Sequence, residues 1–479
     1  MPRTRRFVPH VLALVLVGGW LSIFGGADDP KADPELVTLT ATPDRSALEA
    51  DIAATIVVRV GLAADARPQD ATIGVNLGLL LDTSGSMAGD PIEQARAAVH
   101  ALVEELRPID RLTIVTFDSR AQLVQPMTLI DDADLDDLHD RIDAIEARGT
   151  TDMAAGLGTL LQQLHANPTV GDLDRIVLVS DGVPNDPSTI PSQVESARMA
   201  GFAITTLGVG LEYDELLLGT VARDSGGKFH HVEHGESLGE TVIAELVGAQ
   251  RQIAGNVRLD LSTGPGVTLR RIVGHSPPNL GMASGGHSYT IVLAELAEGE
   301  AQEVFVEVDV APAKAGTTLE LLDAIVSFDD RAAGSGRLER RGFVAMPVSR
   351  DREVLAMRST DVELGAVGAR AAAATIDAIA LSRQGDIDAA DVLLNENEIA
   401  LKYSLANNAE DVTKAPTLMR QNDQIGRQIG QMREELRNYR AVPQPKAGGE
   451  PSGAGGSEQW YRVTKEANAA SIEMLQAHK

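Results

Sequence analysis

The fold is decided by residues 73–91, which read IGVNLGLLLDTSGSMAGDP. Ile73–Leu81 is a predominantly apolar run, which is typical of a strand that is buried on both faces of a sheet. The run ends in a polar loop, and a helical pattern follows from Pro91. The stretch therefore predicts a buried strand, a loop at its carboxyl end and a helix.

The same alternation of apolar runs and amphipathic segments continues to residue 252. This is the pattern of a parallel sheet with helices on both faces, and it predicts a doubly wound, mostly parallel α/β domain over residues 70–252. Ala121–Ile130 follows a tight turn and is predicted to be an antiparallel edge strand. The other predicted strands are Ile73–Leu81, Leu112–Phe117, Ile176–Ser180, Ala203–Val209 and Lys228–Val232. The clearest predicted helices are Pro91–Leu106, Asp134–Ala147, Met153–His165, Ser192–Ala200 and Ser237–Gln252.

Segments with the character of antiparallel sheet flank this domain. Residues 33–66 contain two runs rich in β-branched residues, separated by Pro43, and residues 255–350 show strand-like alternation. The alternation is plainest at residues 303–310, where valine occupies every second position. We predict that the two segments form one antiparallel β-sandwich, into which the α/β domain is inserted.

The C-terminal part of the chain is predicted to be helical. Residues 351–441 are Ala-rich, with a break at residues 384–386 that is typical of the turn of an αα-hairpin, and Pro416 suits the start of another helix. Residues 442–459 are a flexible linker rich in Pro, Gly and Ser. Residues 460–479 predict a tail helix that either docks on the rest of the protein or stays loose.

Composition excludes several classes of function. The 479 residues include 42 Lys and Arg against 69 Asp and Glu, for a net charge of −27. Nucleic-acid binding needs clustered basic residues, so a nucleic-acid partner is not expected, and the acidic balance suits affinity for cations. The chain has no cysteine, which excludes a disulfide framework, thiolate zinc sites and a cysteine nucleophile.

Residues 1–27 have the pattern of a signal peptide. Three arginines among the first six residues precede an apolar run at Val11–Phe24, and small residues follow it. The run is also close to the ~20 residues that span a membrane, so residues 7–26 are alternatively an uncleaved membrane anchor. We expect an exported protein, either periplasmic, on the cell surface or secreted.

Oxygen-bearing side chains are concentrated at the ends of the predicted strands. Ligands of open α/β sheets bind at the carboxyl ends of strands, and hard cations such as Mg²⁺ or Ca²⁺ need oxygen ligands. Gly85 permits a tight turn in the first loop. The candidate ligands are Asp82, Ser84 and Ser86 in that loop, Thr150 and Thr151 before the helix at Met153, and Asp181 after the strand that ends at Ser180.

This set resembles the metal-ion-dependent adhesion site of von Willebrand factor type A domains, which occur in integrins and in many bacterial exported proteins. The resemblance covers residues 70–252 and implies a Rossmann-like fold. By motif, the matching residues are Asp82, Ser84 and Ser86 for Asp-x-Ser-x-Ser, Thr151 for the threonine of Gly-Gly-Thr, and Asp181 for the later Asp-Gly. Thr150 stands where the family has its second glycine.

The resemblance also implies a function. In the family the two serines and the threonine bind Mg²⁺, Mn²⁺ or Ca²⁺ directly or through water, and a protein partner often donates a carboxylate. Two carboxylates roughly neutralise a divalent cation, which leaves it with affinity for another anionic oxygen. We therefore expect an exported adhesion or scaffold protein without catalytic residues. The alternative is a non-catalytic subunit of a larger chelatase-like or ATPase-associated complex, which would work inside the cell.

One motif favours an enzyme. Residues 230–234, HHVEH, have the H-x-x-E-H spacing of a class of zinc metalloproteases. That motif requires a helix, whereas Gly226, Gly227 and the β-type residues around it predict a strand. A Gly-x-Ser-x-Gly elbow and a phosphate loop ending in Gly-Lys-Ser/Thr are absent from the sequence. The sequence therefore does not support catalysis.

Overall fold

The computed structural model describes residues 36–65, 74–169, 172–211, 213–232, 236–274, 288–293, 295–331, 334–408, 415–441 and 456–476. The predicted signal peptide or membrane anchor at residues 1–27 lies outside these stretches. Most of the predicted linker, at residues 442–455, also lies outside them.

Within the stretches that the structure describes, three strands precede the α/β domain, and the domain itself alternates strands with helices. The first three strands are β1 (Val37–Pro43), β2 (Leu48–Glu49) and β3 (Ala54–Ala64). The domain then contains β4 (Val75–Asp82), α1 (Asp90–Glu105), β5 (Arg111–Phe117), β6 (Ala121–Leu129), α2 (Leu135–Asp143), α3 (Met153–Ala166), β7 (Leu173–Ser180), α4 (Ile190–Ala200), β8 (Ala203–Val209), α5 (Glu215–Ser225), β9 (Phe229–Val232) and α6 (Glu236–Gln250).

The domain is built on one six-stranded sheet with the order β6-β5-β4-β7-β8-β9. All neighbouring strands are parallel except β6, which is antiparallel to β5. Strand β4 is buried along its whole length, as its apolar run predicts. Helices α1, α2 and α6 cover one face of the sheet, and α3, α4 and α5 cover the other. The prediction of a doubly wound, mostly parallel sheet is confirmed.

Some helix limits differ from the prediction. Helix α2 ends at Asp143 rather than at residue 147, and α5 lies outside the helices that we predicted most clearly. Helix α6 ends at Gln250, because Gln252 already pairs with Ala297 as the first residue of the next strand. These ends are set by contacts that a local pattern does not contain.

The remaining strands complete the sandwich. They are β10 (Gln252–Thr263), β11 (Val267–Ile272), β12 (Ser288–Val292), β13 (Leu296–Ala297), β14 (Ala301–Val310), β15 (Thr318–Asp330) and β16 (Gly336–Ser349). One sheet has the order β1-β3-β14-β11, and the other has the order β12-β10-β15-β16-β2 with β13 beside β10. Strands from before and after the α/β domain therefore pair with each other, which confirms that the domain is an insertion.

Strand β14 is more fully buried than its alternation indicates. Every second residue, Val304 to Val310, faces the core between the two sheets, as predicted. The opposite face is also covered, because Phe305 and Glu307 are buried there. Phe305 packs on a helix at Gly365, where a Cβ atom would lie 2.4 Å from its ring. The helical region therefore forms a third layer on the sandwich.

The described residues after the sandwich form the helices α7 (Arg352–Leu355), α8 (Thr360–Arg383), α9 (Ile387–Asn407), α10 (Pro416–Ala441) and α11 (Gly456–Gln476). Helices α8 and α9 form the predicted αα-hairpin, and Gly385 in its turn has a φ of +86°. By length and composition α8 could span a bilayer. However, 61% of its most apolar stretch is buried inside the protein, so its composition suits its place between the sandwich and the other helices.

The tail helix α11 docks on the α/β domain, which answers a question that the sequence left open. Lys465 is buried, and its Nζ donates hydrogen bonds to the Tyr213 carbonyl at 2.6 Å and to Glu215 Oε2 at 3.1 Å. Arg383 of α8 pairs with the same Glu215 carboxylate. A Cβ atom at Gly219 would lie 2.5 Å from Ile472, so helices α5 and α11 are in close contact.

Candidate metal site

The parallel pairing of β4 with β7 brings two carboxylates to one edge of the sheet. Leu81 lies opposite Val179 in this pair. Asp82 is the last residue of β4, and Asp181 directly follows β7. Both carboxylates therefore lie at the carboxyl end of the sheet, where such folds bind ligands.

Asp82 is a fully buried carboxylate held by neutral hydrogen-bond donors. Its Oδ1 accepts a hydrogen bond from the Ser84 backbone N–H at 2.8 Å, and its Oδ2 accepts one from Ser180 Oγ at 2.6 Å. Burial raises the pKa of Asp82 above its ordinary value, and the hydrogen bonds from Ser180 and Ser84 oppose that rise. Among the described residues, no cationic side chain pairs with this carboxylate.

A chain of hydrogen bonds links the remaining loop residues to Asp181. The hydroxyl oxygens of Ser84 and Ser86 lie 3.0 Å apart. Ser86 Oγ donates to Asp181 Oδ1 at 2.8 Å. Ser84 and Asp181 are buried, whereas Ser86 is exposed, so the group opens to solvent on the side of Ser86.

The two neighbouring threonines point to different partners. Thr150 is exposed and its Oγ1 lies 3.3 Å from Ser119 Oγ, to which it donates. Thr151 is buried. A Cβ atom built on Gly182 would lie 3.3 Å from Thr151 Oγ1, 3.6 Å from Ser86 Oγ and 3.7 Å from Asp82 Oδ2. The structure thus places Thr151, and not Thr150, with the other predicted ligands.

Backbone hydrogen bonds tie the three loops of the site together. Gly85 N–H donates to the Gly149 carbonyl at 3.1 Å, and Arg148 N–H donates to the Thr83 carbonyl at 2.7 Å. Asn185 N–H donates to the Thr151 carbonyl at 2.9 Å. These contacts fix the backbones of the three loops relative to one another, which lowers the cost of ordering a site on binding.

Two residues of this edge were missed by the prediction. Ser180 donates to Asp82, and Asp118 lies buried after β5 and pairs with Arg148 at 3.1 Å. Both follow or end a buried strand, so the rule that identified Asp82 and Asp181 also applies to them. They were missed because neither residue belongs to the family motif that identified the other candidate ligands.

The residues of the site fit a hard divalent cation. They supply only carboxylate and hydroxyl oxygens, and Gly182 leaves space beside three of them. Among the described residues, no group of three or more His, Cys, Asp or Glu side chains has the geometry of a metal site. A site here therefore depends on the serine and threonine hydroxyls as much as on the carboxylates.

The described part of the H-x-x-E-H motif does not have the helical geometry that this type of zinc site requires. His230 and His231 lie on strand β9, as predicted, and the last two residues of the motif lie outside the described residues. His230 Nε2 lies 3.0 Å from Glu245 Oε1, and His231 Nδ1 lies 2.8 Å from the Tyr213 hydroxyl. The two histidines therefore have separate partners.

Comparison with known proteins agrees with this architecture. The family model of the von Willebrand factor type A domain matches residues 76–243. The chain therefore contains a von Willebrand factor type A domain. Such domains commonly mediate protein–protein interactions, typically bind a divalent metal at this kind of site, and are mostly non-catalytic in the relatives.

Relatives share the type A domain but are longer proteins. The chain is 28% identical to the uncharacterized protein YfbK of Escherichia coli over 231 residues, which are 47% of this chain and 40% of that protein. It is 26% identical to human inter-alpha-trypsin inhibitor heavy chain H4 over 166 residues, 33% of this chain and 18% of that protein. The matches thus span less than half of either relative.

The whole architecture recurs in a solved structure. A von Willebrand factor type A protein from Catenulispora acidiphila matches with a TM-score of 0.65 and 16% identity. The match covers 94% of this chain and 99% of that one. The arrangement of type A domain, sandwich and helices is therefore shared as a fold.

Proposed function

We propose that the type A domain binds a divalent cation, Mg²⁺ or alternatively Ca²⁺ or Mn²⁺, and uses it to bind a carboxylate of a protein partner. The observation that carries the proposal is the convergence of oxygens from Asp82, Ser86 and Thr151 on one side of Gly182. The proposed ligands are Asp82, Ser84, Ser86, Thr151 and Asp181.

The charge of the site supports a cation. A buried carboxylate without a cationic partner is costly, and a divalent ion beside Asp82 would remove that cost. Asp82 and Asp181 together balance the ion's two positive charges. An ion so balanced retains open coordination positions toward the exposed side at Ser86, where an Asp or Glu of the partner would bind.

The surroundings of the site offer contact surface for such a partner. Val183, directly after Gly182, is 56% exposed and offers an apolar side chain beside the site. On the other side, Thr83 and Arg148 line a cavity of about 350 Å³ together with Gln122. An apolar anchor and a polar cavity beside one ion suit recognition of a protein surface.

We further propose that the protein is exported and acts as an adhesion or scaffold protein, with no catalytic residues. The signal-like pattern of residues 1–27 supports export. N-terminal sequencing of the mature protein tests this point. Removal of residues 1–27 would support a cleaved signal, retention in the membrane fraction would support an anchor at residues 7–26, and an intact soluble chain would favour the alternative subunit of an intracellular complex.

The metal-dependent interaction is tested by affinity capture. The immobilised chain is incubated with extract in Mg²⁺, washed in Mg²⁺ and eluted with EDTA. We expect a protein that elutes with EDTA from the wild type and is lost with Asp82→Ala and Thr151→Ala. The matched control is Thr150→Ala, which should retain the partner because Thr150 faces Ser119. Equal capture with and without EDTA would contradict the proposal.

A further inference from the structure

A cavity of about 210 Å³ lies where the type A domain, the sandwich and the helical region meet, away from the proposed metal ligands. Helix α5 contributes Arg223, β11 contributes Arg271, and α8 contributes Arg370 and Asp377. Leu475 of the tail helix forms another wall. A Cβ atom at Gly274 would lie 2.5 Å from Leu475, so the tail helix closes the cavity tightly on that side.

Two arginines of this cavity share a single carboxylate. Arg271 and Arg370 both donate to Glu307 Oε1, at 2.7 and 2.6 Å, and Glu307 is buried. Arg270 Nε also lies 3.9 Å from Glu307 Oε2, so this carboxylate is shared by three guanidinium groups. Arg223 pairs with Asp224, whose side chain is half exposed, so that pair is weak in water. Three guanidinium groups around one cavity are notable in a chain with a net charge of −27.

Asp377 lies in the same wall without a bound cation. Among the described residues it forms neither a hydrogen bond nor an ion pair within 4.0 Å. Asp377 is exposed to solvent at the cavity, and its partial burial raises its pKa, although the positive charges of Arg223 and Arg271 oppose the rise. The protein therefore leaves a carboxylate in this cavity that would be stabilised by a positive group of a ligand.

Apart from Asn397, the rest of the lining is apolar, and the volume is small. Ile376 and Leu393 face the cavity beside Leu475, and Arg271, whose side chain is 53% exposed, lies at its solvent side. A volume of 210 Å³ is below the ~300 to 1,000 Å³ of sites for drug-sized ligands. The occupant must therefore be small, with an apolar part.

We propose that this cavity binds a free α-amino acid with a small apolar side chain. The carboxylate would lie against the guanidinium groups of Arg223 and Arg271, the ammonium group against Asp377, and the side chain between Ile376 and Leu393. A ligand with only a carboxylate would leave Asp377 unpaired, and one with only an amine would be repelled by the arginines. The zwitterion satisfies both.

The test is calorimetry on the full chain with three probes: L-leucine, 4-methylpentanoate, which lacks the amine, and isopentylamine, which lacks the carboxylate. We expect leucine to bind and each analogue to bind at least tenfold more weakly. Asp377→Asn should weaken leucine at least tenfold but leave 4-methylpentanoate unchanged or improved. Arg223→Gln should weaken leucine and 4-methylpentanoate alike.

The matched control is Arg427→Gln, because Arg427 is 77% exposed on α10 and pairs with Asp423 outside the cavity. It should bind leucine as the wild type does. Circular dichroism checks that each variant is folded. Absence of leucine binding to the wild type at millimolar concentration would overturn the proposal. So would equal binding of leucine and 4-methylpentanoate, which needs no variant to measure.

Discussion

At the carboxyl end of the parallel sheet, the buried carboxylate of Asp82 has no cationic partner among the described residues. Asp82 is fully buried and accepts hydrogen bonds only from neutral donors among the described residues. Its pKa is raised because burial outweighs these hydrogen bonds. The folded protein alone thus disfavours the ionised form of Asp82.

At the amino end of the same sheet, which faces the sandwich, buried charges are paired. Arg175 of β7 pairs with Glu295 of the sandwich, and both are largely buried. Glu245 of α6 accepts a hydrogen bond from His230 at 3.0 Å. Burial raises the pKa of Glu245, but this hydrogen bond and the nearby positive charges outweigh it and lower the pKa to about 2.

This comparison distinguishes charged residues that stabilise the fold from a charged residue that is a candidate for binding a ligand. The paired carboxylates join the type A domain to the sandwich and need nothing from outside. Asp82 lies in an equally buried environment, but no cationic side chain of the described residues balances its charge. Strongly perturbed carboxylates that lack an internal partner are candidates for binding sites. Four experiments test this contrast.

The largest expected effect comes from breaking a pair at the amino end. Arg175→Met would leave Glu295 buried without its cation, which typically costs about 3 to 5 kcal/mol. The double variant Arg175→Met, Glu295→Leu removes both charges and should recover most of the loss. Urea denaturation measures the free energy of unfolding of both variants. If the double variant is as unstable as the single one, the pair does not have the structural role assigned to it.

The pH dependence of stability should reveal Glu245. Its pKa is about 2 in the folded protein, below the ordinary value of 4.5, so the unfolded chain takes up the proton first as the pH falls. The stabilisation is therefore complete above pH 4.5 and is lost as the pH falls to 2, by about 3 kcal/mol. Unfolding of wild type and Glu245→Gln across this range checks the sign. Parallel curves would show that Glu245 contributes nothing there.

A cation should have the next largest effect, at the carboxyl end. Mg²⁺ at a hundred times its Kd should stabilise the wild type by about 2.7 kcal/mol, and should not stabilise Asp82→Asn. Since the pKa of Asp82 is raised, the metal-free protein loses stability as the pH rises through the ordinary pKa. In EDTA, Asp82→Asn should therefore be at least as stable as the wild type. Thermal unfolding with EDTA or Mg²⁺ distinguishes these outcomes, and a wild type indifferent to Mg²⁺ would refute the assignment.

The sequence predicts the local part of this architecture well. The continuous apolar run of β4 indicates a strand that is buried on both faces. The alternating valines of β14 indicate which face of that strand is turned to the core. The Asp-x-Ser-x-Ser motif identifies the loop, and the fold places its residues beside Thr151 and Asp181 as the motif requires. Metal binding by this set stays a prediction.

Contacts between distant segments could not be predicted in the same way. The burial of Glu307 depends on Arg370, 63 residues away, and the docking of the tail depends on Lys465 meeting Glu215, 250 residues away. Charged residues are ordinarily exposed to solvent. A sequence pattern therefore predicts that these residues are exposed, whereas the structure buries them as ion pairs. Ser180 was missed for a related reason: one hydroxyl at a strand end becomes informative only once its partner, Asp82, is known.

The smallest expected effect probes the space beside Asp82. Gly182→Ala adds a methyl group 3.3 Å from Thr151 Oγ1 and 3.7 Å from Asp82 Oδ2, where the proposed cation would be held. The neighbours need to move only by tenths of an ångström, so stability in EDTA should change by less than about 1 kcal/mol. Affinity for Mg²⁺ should nevertheless fall about tenfold, or about 1.4 kcal/mol, because the methyl group displaces oxygens that must converge on the ion. Gly248→Ala on α6 is the matched control, since a Cβ atom there meets nothing within 4 Å. Equal Mg²⁺ affinity in both variants, measured by calorimetry, would mean that the space beside Gly182 is not where the cation binds, even if Asp82 is needed for binding.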